Sequence, residues 1–167
     1  MAMEPITLFS TRPDLHGVLA QLRAWGLEVE LTGSEDDWQA ARVILDYEGQ
    51  PGPLALTFRR DPSYYAEPGW SRQVAGMRVF FSCFPDGPRK AEVLAFLGRL
   101  RSALATVWEP DMVTGESPDE RIGLMCAVAK LFDCVLFSPS VLRDGSGQPL
   151  ISANGESDPE AELPPVA

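Results

Sequence analysis

The chain has 167 residues, 45% of them apolar and 23% charged, a balance that suits one folded domain with a real core and excludes wholesale disorder. Its formal charge of −10 repels a phosphate backbone, and the basic pairs Arg59-Arg60 and Arg89-Lys90 are short, far apart and read as solvated surface, which excludes ordinary nucleic-acid binding. No run approaches the ~18 apolar residues of a membrane span, and Met-Ala-Met-Glu-Pro is not a signal sequence, so a cytoplasmic setting with reduced thiols is expected.

Ile6 to Ser10 reads as a short first strand. Thr11 offers a helix N-cap and Pro13 an early helical position, and Leu15, Val18, Leu19, Leu22 and Trp25 follow at helical spacing until Gly26 closes the helix. Leu27, Val29 and Leu31 alternate with Glu28, Glu30 and Thr32, the pattern of a half-buried strand. Two further strands, Ala41 to Glu48 and Leu54 to Arg60, are joined by Gly-Gln-Pro-Gly-Pro, a connection made of turn formers.

Asp61 to Gly69 reads as an aromatic loop. From Trp70, apolar residues fall at Val74, Met77, Phe80 or Phe81, and Phe84, a period that predicts a helix, with a Val-Phe-Phe strand as the alternative. Pro85-Asp-Gly-Pro88 breaks it. Val93, Leu94, Leu97, Leu100, Leu104 and Val107 predict one long helix running to Pro110. Ser117-Pro-Asp-Glu120 is a capping box that starts a last helix, with Ile122, Met125, Cys126, Ala129 and Phe132 inward. Cys134 to Phe137 reads as a buried strand. Val141 to Arg143 and Gln148 to Ile151 read as a hairpin around Asp-Gly-Ser-Gly. Beyond Ser152 the chain is small residues, proline and four uncompensated acids, so residues 1–152 are expected to form the domain and 153–167 a disordered acidic tail.

Few residues carry chemistry. His16 is the single histidine, which excludes multi-histidine metal centres. Glu35-Asp36-Asp37 and Glu116-Ser-Pro-Asp119-Glu120 lack EF-hand spacing, and acids at helix starts are explained by the helix dipole. No metal and no cofactor is called for. Asp144-Gly-Ser-Gly lacks the Lys-Ser/Thr and following helix of a phosphate loop and reads as a turn. Three cysteines, Cys83, Cys126 and Cys134, lack a C-x-x-C pair, and the apolar surroundings of Cys83 and Cys134 suit buried structural thiols. The segment from Asp61 to Gln73 concentrates Tyr64, Tyr65, Glu67, Trp70 and Arg72 in one connector. Tyr, Trp and Arg carry disproportionate binding energy at interfaces, so these five are the candidate binding residues.

Ile-Thr-Leu-Phe-Ser at the start, Asp61-Pro-Ser-Tyr-Tyr, Arg72-Gln-Val-Ala-Gly-Met77, Leu-Phe-Asp-Cys-Val-Leu-Phe ending at Phe137, and Leu142-Arg-Asp-Gly-Ser-Gly-Gln-Pro-Leu150 form a set. Together they resemble an uncharacterised bacterial family known only as a domain of unknown function. The resemblance spans most of residues 5 to 152 and implies a bacterial cytoplasmic origin and no activity.

The expected architecture is α+β, a mainly antiparallel mixed sheet packed against three or four helices. The expected function is a non-enzymatic interaction module that binds a protein partner or forms a homodimer. The alternative is an enzyme of unfamiliar type, with Asp61, Glu67, Tyr64, Tyr65 and Arg72 around a small-molecule pocket.

Overall fold

The computed structural model describes residues 5–45, 54–60, 68–109 and 118–166, with 118–121 as main chain only. In chain order the elements are β1 (Thr7–Ser10), α1 (Gly17–Ala24), β2 (Glu28–Gly33), β3 (Trp38–Leu45), β4 (Leu54–Arg59), α2 (Gly69–Ser82), α3 (Lys90–Leu97), β5 (Ser102–Glu109), α4 (Pro118–Leu131), β6 (Cys134–Ser138), β7 (Val141–Arg143) and β8 (Pro149–Ser152). The strands form one sheet in the order β2-β3-β4-β5-β1-β6-β7-β8, with every neighbouring pair antiparallel. The expected α+β class holds, with four helices against an antiparallel sheet.

The pleat assigns each strand residue to a face. Leu8 sits opposite Leu104 and Leu136, while Phe9 sits opposite Ala103 and Val135. The first face, with Leu8, Val43, Leu56, Phe58 and Leu104, packs against Val18, Leu19 and Leu22 of α1 and Met125, Val128 and Ala129 of α4. The second face packs Phe9, Ala103, Val135 and Leu142 against Trp70, Met77 and Phe81 of α2 and Val93, Phe96 and Leu97 of α3. Each fully buried Leu or Phe side chain stabilises such a core by roughly 1.5–3 kcal/mol.

Several local expectations hold for visible reasons. At Gly26 (φ 78°) the Leu27 N–H reaches the Leu22 carbonyl and the Gly26 N–H the Arg23 carbonyl, the Schellman arrangement that a left-handed glycine permits. Trp70, Met77 and Phe81 form the inward row of α2, with Val74 partly buried beside them. The Asp144 turn joins β7 and β8: its carboxylate accepts from the Ser146 and Gln148 N–H groups, both at 2.9 Å, and Gly147 (φ 85°) supplies the left-handed step. The Gly49–Pro53 connector and Ser117 lie outside the described residues.

Four expectations do not hold. Helix α1 starts at Gly17 and not after Thr11. The Ser10 hydroxyl accepts from the Arg12 N–H at 3.0 Å and Asp14 accepts from the His16 N–H at 3.2 Å, giving the main chain local partners that compete with a helix. The long helix from Val93 to Val107 is instead α3 followed by strand β5. The spacing of Leu97, Leu100 and Leu104 mimics a helical stripe, but Leu104, Thr106 and Trp108 also alternate with Ala103, Ala105 and Val107. Pairing with β4 on one edge and β1 on the other decides for the strand.

Cys83 is exposed, because the inward row of α2 passes through Phe81 and on to Phe84 and leaves Ser82 and Cys83 on the solvent side. Cys134 is fully buried, and burial pushes its thiol up to about 12; burial also raises the half-buried Cys126 thiol. With iodoacetamide at pH 8, peptide mass mapping is expected to find Cys83 alkylated first, Cys126 more slowly, and Cys134 only when the protein unfolds. Modification of Cys134 at the rate of Cys83 would contradict its placement.

The fourth difference is the segment after Ser152, expected to be a disordered tail. It folds back along β8 instead. The Ser157 hydroxyl donates to the Leu150 carbonyl and the Asp158 N–H to the Pro149 carbonyl, each at 2.8 Å. Arg89 donates to the carbonyls of Pro159 and Ala161, and the Glu162 N–H donates to Asp144 Oδ2 at 2.9 Å. Ala161 is fully buried and Leu163 packs on the second core. Composition counts side chains, and the acids do point mostly outward. The attachments are made by main-chain groups that composition does not weigh.

Candidate functional site

Helices α2 and α3 pack over the β1–β6 side of the second face. Among the described residues the core cluster of that face includes no side chain from β2, β3 or β4. On this half the even residues of β2 and β3 and the odd residues of β4 and β5 share the surface. Register places them in rows: Thr32, Ala40, Arg59 and Ala105 in one, and Glu30, Arg42, Thr57 and Val107 in the next. Ala40, Thr57 and Ala105 are short, so the middle of the surface is sunk. A recess of about 690 Å³ results, lined also by Thr32, Gln39, Arg42, Arg59, Arg60, Val107 and Glu109.

Its arginines differ in what they are committed to. Arg42 lies between two carboxylates, Glu30 at 3.1 Å and Glu109 at 3.4 Å. Arg60 sits at the edge of the recess, donating to the Trp38 carbonyl at 2.8 Å, with its guanidinium 5.0 Å from the Trp38 ring and 3.9 Å from Asp37. Arg59 is exposed and has no side-chain hydrogen bond or ion pair among the described residues. Thr57 is only 8% exposed, and its hydroxyl has no hydrogen-bond partner among the described residues. A buried polar group in that condition costs free energy until something satisfies it.

Beside the recess, Trp38 is buried and its indole N–H donates to the His16 carbonyl at 3.2 Å. The His16 ring meets Trp38 edge-on at 6.4 Å between centroids, and its nitrogens face Asp14 at 3.5 Å and Asp37 at 3.6 Å. His16 thus lies at the rim of the first core, between two exposed carboxylates. Arg23 and Glu35 close a further ion pair nearby in sequence; the guanidinium hydrogen bond holds the Glu35 carboxyl below its ordinary range.

Of the five residues singled out in the sequence, Tyr64, Tyr65 and Glu67 lie outside the described residues, as does Asp61 of the enzymatic alternative. Trp70 is a core residue: it is 8% exposed, its indole N–H donates to the Leu100 carbonyl at 2.9 Å, and its ring lies 6.3 Å from Phe9. Arg72 is exposed in the first turn of α2. Neither Trp70 nor Arg72 lines the recess. Of the residues that do line it, the sequence marks Arg59-Arg60 and Thr32 as plain surface and Val107 as part of a helix, and none as a site. The available signal was a strand face on β3 and β4 that carries Ala40, Arg42, Thr57 and Arg59, too polar and too small to be a core face.

Among the described residues, no group of three or more His, Cys, Asp or Glu is placed to hold a metal ion, and no helix is long and apolar enough to cross a membrane. No protein-family model, curated protein or solved structure matches the chain.

Proposed function

We propose that this chain is a non-enzymatic binding module of the bacterial cytoplasm, and that the recess on the open half of the sheet is its receptor surface. One observation carries the reading. The eight-stranded sheet has one face packed by α1 and α4 along β1 to β5, and its other face sunk where Ala40, Thr57 and Ala105 meet. A solvated strand face is ordinarily filled by long polar side chains that cover the sheet. Here the long side chains stand at the margin and the floor is short, which leaves a concavity of the size that ligand sites have. The carboxylate in the lining, Glu109, is half exposed and set against Arg42, an arrangement that suits holding better than proton transfer.

Filling the recess tests this. Ala105 is partly exposed on the floor, so Ala105→Trp adds bulk without entering the core. A thermal-shift screen of small metabolites and short peptides is expected to find ligands that raise Tm by more than about 2 °C at saturation, a shift of order 1 kcal/mol in a chain of this size. The Ala105→Trp variant, folded by circular dichroism, should lose those shifts. Ligands that stabilise both forms equally, or none that stabilise the parent, would remove the recess as the receptor surface.

A further inference from the structure

Resting on that reading of the recess, we propose that its ligand is a small organic oxyanion, a molecule of metabolite size whose carboxylate or phosphate group is held by Arg59 and Thr57, with Arg42 beside them. The first argument is charge. The chain carries a net −10, and in the lining Arg42 is met by Glu30 and Glu109 and Arg60 by Asp37, while Arg59 has no carboxylate against it among the described residues. An uncompensated arginine in an acidic protein is a point to which an anion is drawn.

The second argument is donor supply. Thr57 and Arg59 stand two residues apart on the same face of β4, roughly 7 Å along the strand, and Arg42 is directly opposite Thr57 on β3. Thr57 is nine-tenths buried with a hydroxyl that no described residue satisfies, and Arg59 holds a guanidinium that no described carboxylate occupies. A planar guanidinium fork and a hydroxyl that line one recess suit the oxygens of a carboxylate or phosphate. Arg42 is already held by Glu30 and Glu109, so Arg59 and Thr57 are the donors left for a ligand.

The third argument separates a small molecule from an acidic peptide. An extended peptide binds a sheet by adding to an edge, where main-chain groups are unpaired. The recess lies mainly over β3, β4 and β5, interior strands whose ladders are paired on both sides, and reaches the edge strand β2 only at Thr32. The main-chain groups of those three strands are spent, and what remains over them is a cup of about 690 Å³ with side-chain donors.

The test is a ¹H–¹⁵N correlation titration of the full chain with inorganic phosphate, with citrate and with a hexaglutamate peptide, at ionic strength held constant with sodium chloride. Saturable shifts at Ala40, Thr57, Ala105 and Val107, with citrate or phosphate weakened at least 10-fold by Arg59→Ala, are the expected result. Which of the two anions binds more tightly distinguishes carboxylate from phosphate as the favoured group. Shifts that grow linearly and match those from chloride would overturn the proposal, as would saturable binding that Arg59→Ala leaves unchanged. Saturation by hexaglutamate alone would overturn the small-anion assignment while leaving the recess a binding surface. If Ala105→Trp also fails to alter any ligand response, the receptor-surface reading falls on its own evidence.

Discussion

Trp70→Ala is expected to lower stability by about 3–5 kcal/mol, the usual cost of emptying a tryptophan site in a core. In urea, at a slope of ~2 kcal/mol per M, that is a midpoint shift of about 1.5–2.5 M. The reason is position. The indole is buried between Phe9 and the start of β5, and its N–H satisfies the Leu100 carbonyl at 2.9 Å. Removing it leaves both a void and an unpaired acceptor, two losses that add. Val79→Ala, on the same helix at 67% exposure, is the control and should move the midpoint by little. If the two variants unfold at the same urea concentration, the indole is not in the core. The same placement means that loss of binding in Trp70→Ala would report lost structure before it reported a lost contact. Arg72→Ala, exposed and in the first turn of α2, is the cleaner probe of that connector.

Ending the chain after Ser152 is expected to destabilise the domain by roughly 3–5 kcal/mol, taking ~1 kcal/mol for each net hydrogen bond lost. The lost bonds are those of Ser157 to Leu150, Asp158 to Pro149, Glu162 to Asp144, and Arg89 to the carbonyls of Pro159 and Ala161. Truncation also strips Ala161 and Leu163 from the second core. Asp144, 4% exposed, would be left with one carboxylate oxygen unsatisfied. Urea denaturation of the parent and the shortened chain measures the difference. An unchanged midpoint, together with rapid proteolysis within 153–166 in the parent, would show that the segment does not contribute.

What could be read from the sequence was whatever depends on neighbours in the chain. Gly26 ends a helix because its backbone can take a positive φ, and the Asp144 turn closes because Asp and Gly satisfy it locally. The alternation of Val29 and Leu31 with Glu28 and Glu30 is likewise a local pattern. Residues 102–109 failed that approach, because their strand state is imposed by β4 and β1, which are distant in sequence. The segment after Ser152 failed for a related reason: its anchors are Arg89 just before α3, an aspartate from the β7–β8 turn and main-chain carbonyls.

The recess was hidden most thoroughly. Its lining runs from Thr32 to Glu109 across four strands, so no spacing along the chain marks it. Trp70 stands out in the sequence as an aromatic in a polar connector, and residue type alone does not reveal that it points inward. Tyr64, Tyr65 and Glu67 remain proposals of the sequence alone.

The central position of β1 also sets a schedule for synthesis. Its pairing partners are Ser102 to Ala105 on one side and Cys134 to Phe137 on the other. A ribosome adding ~5–20 residues per second supplies them roughly 5–25 s after Ser10 has been made. Through that interval β2, β3 and β4 have their own antiparallel neighbours at short separation, while Leu8 and Phe9 wait with both strand edges open. Pairing of β1 is therefore completed only when β6 emerges, and until then the nascent chain offers an unpaired apolar segment to whatever chaperone attends it.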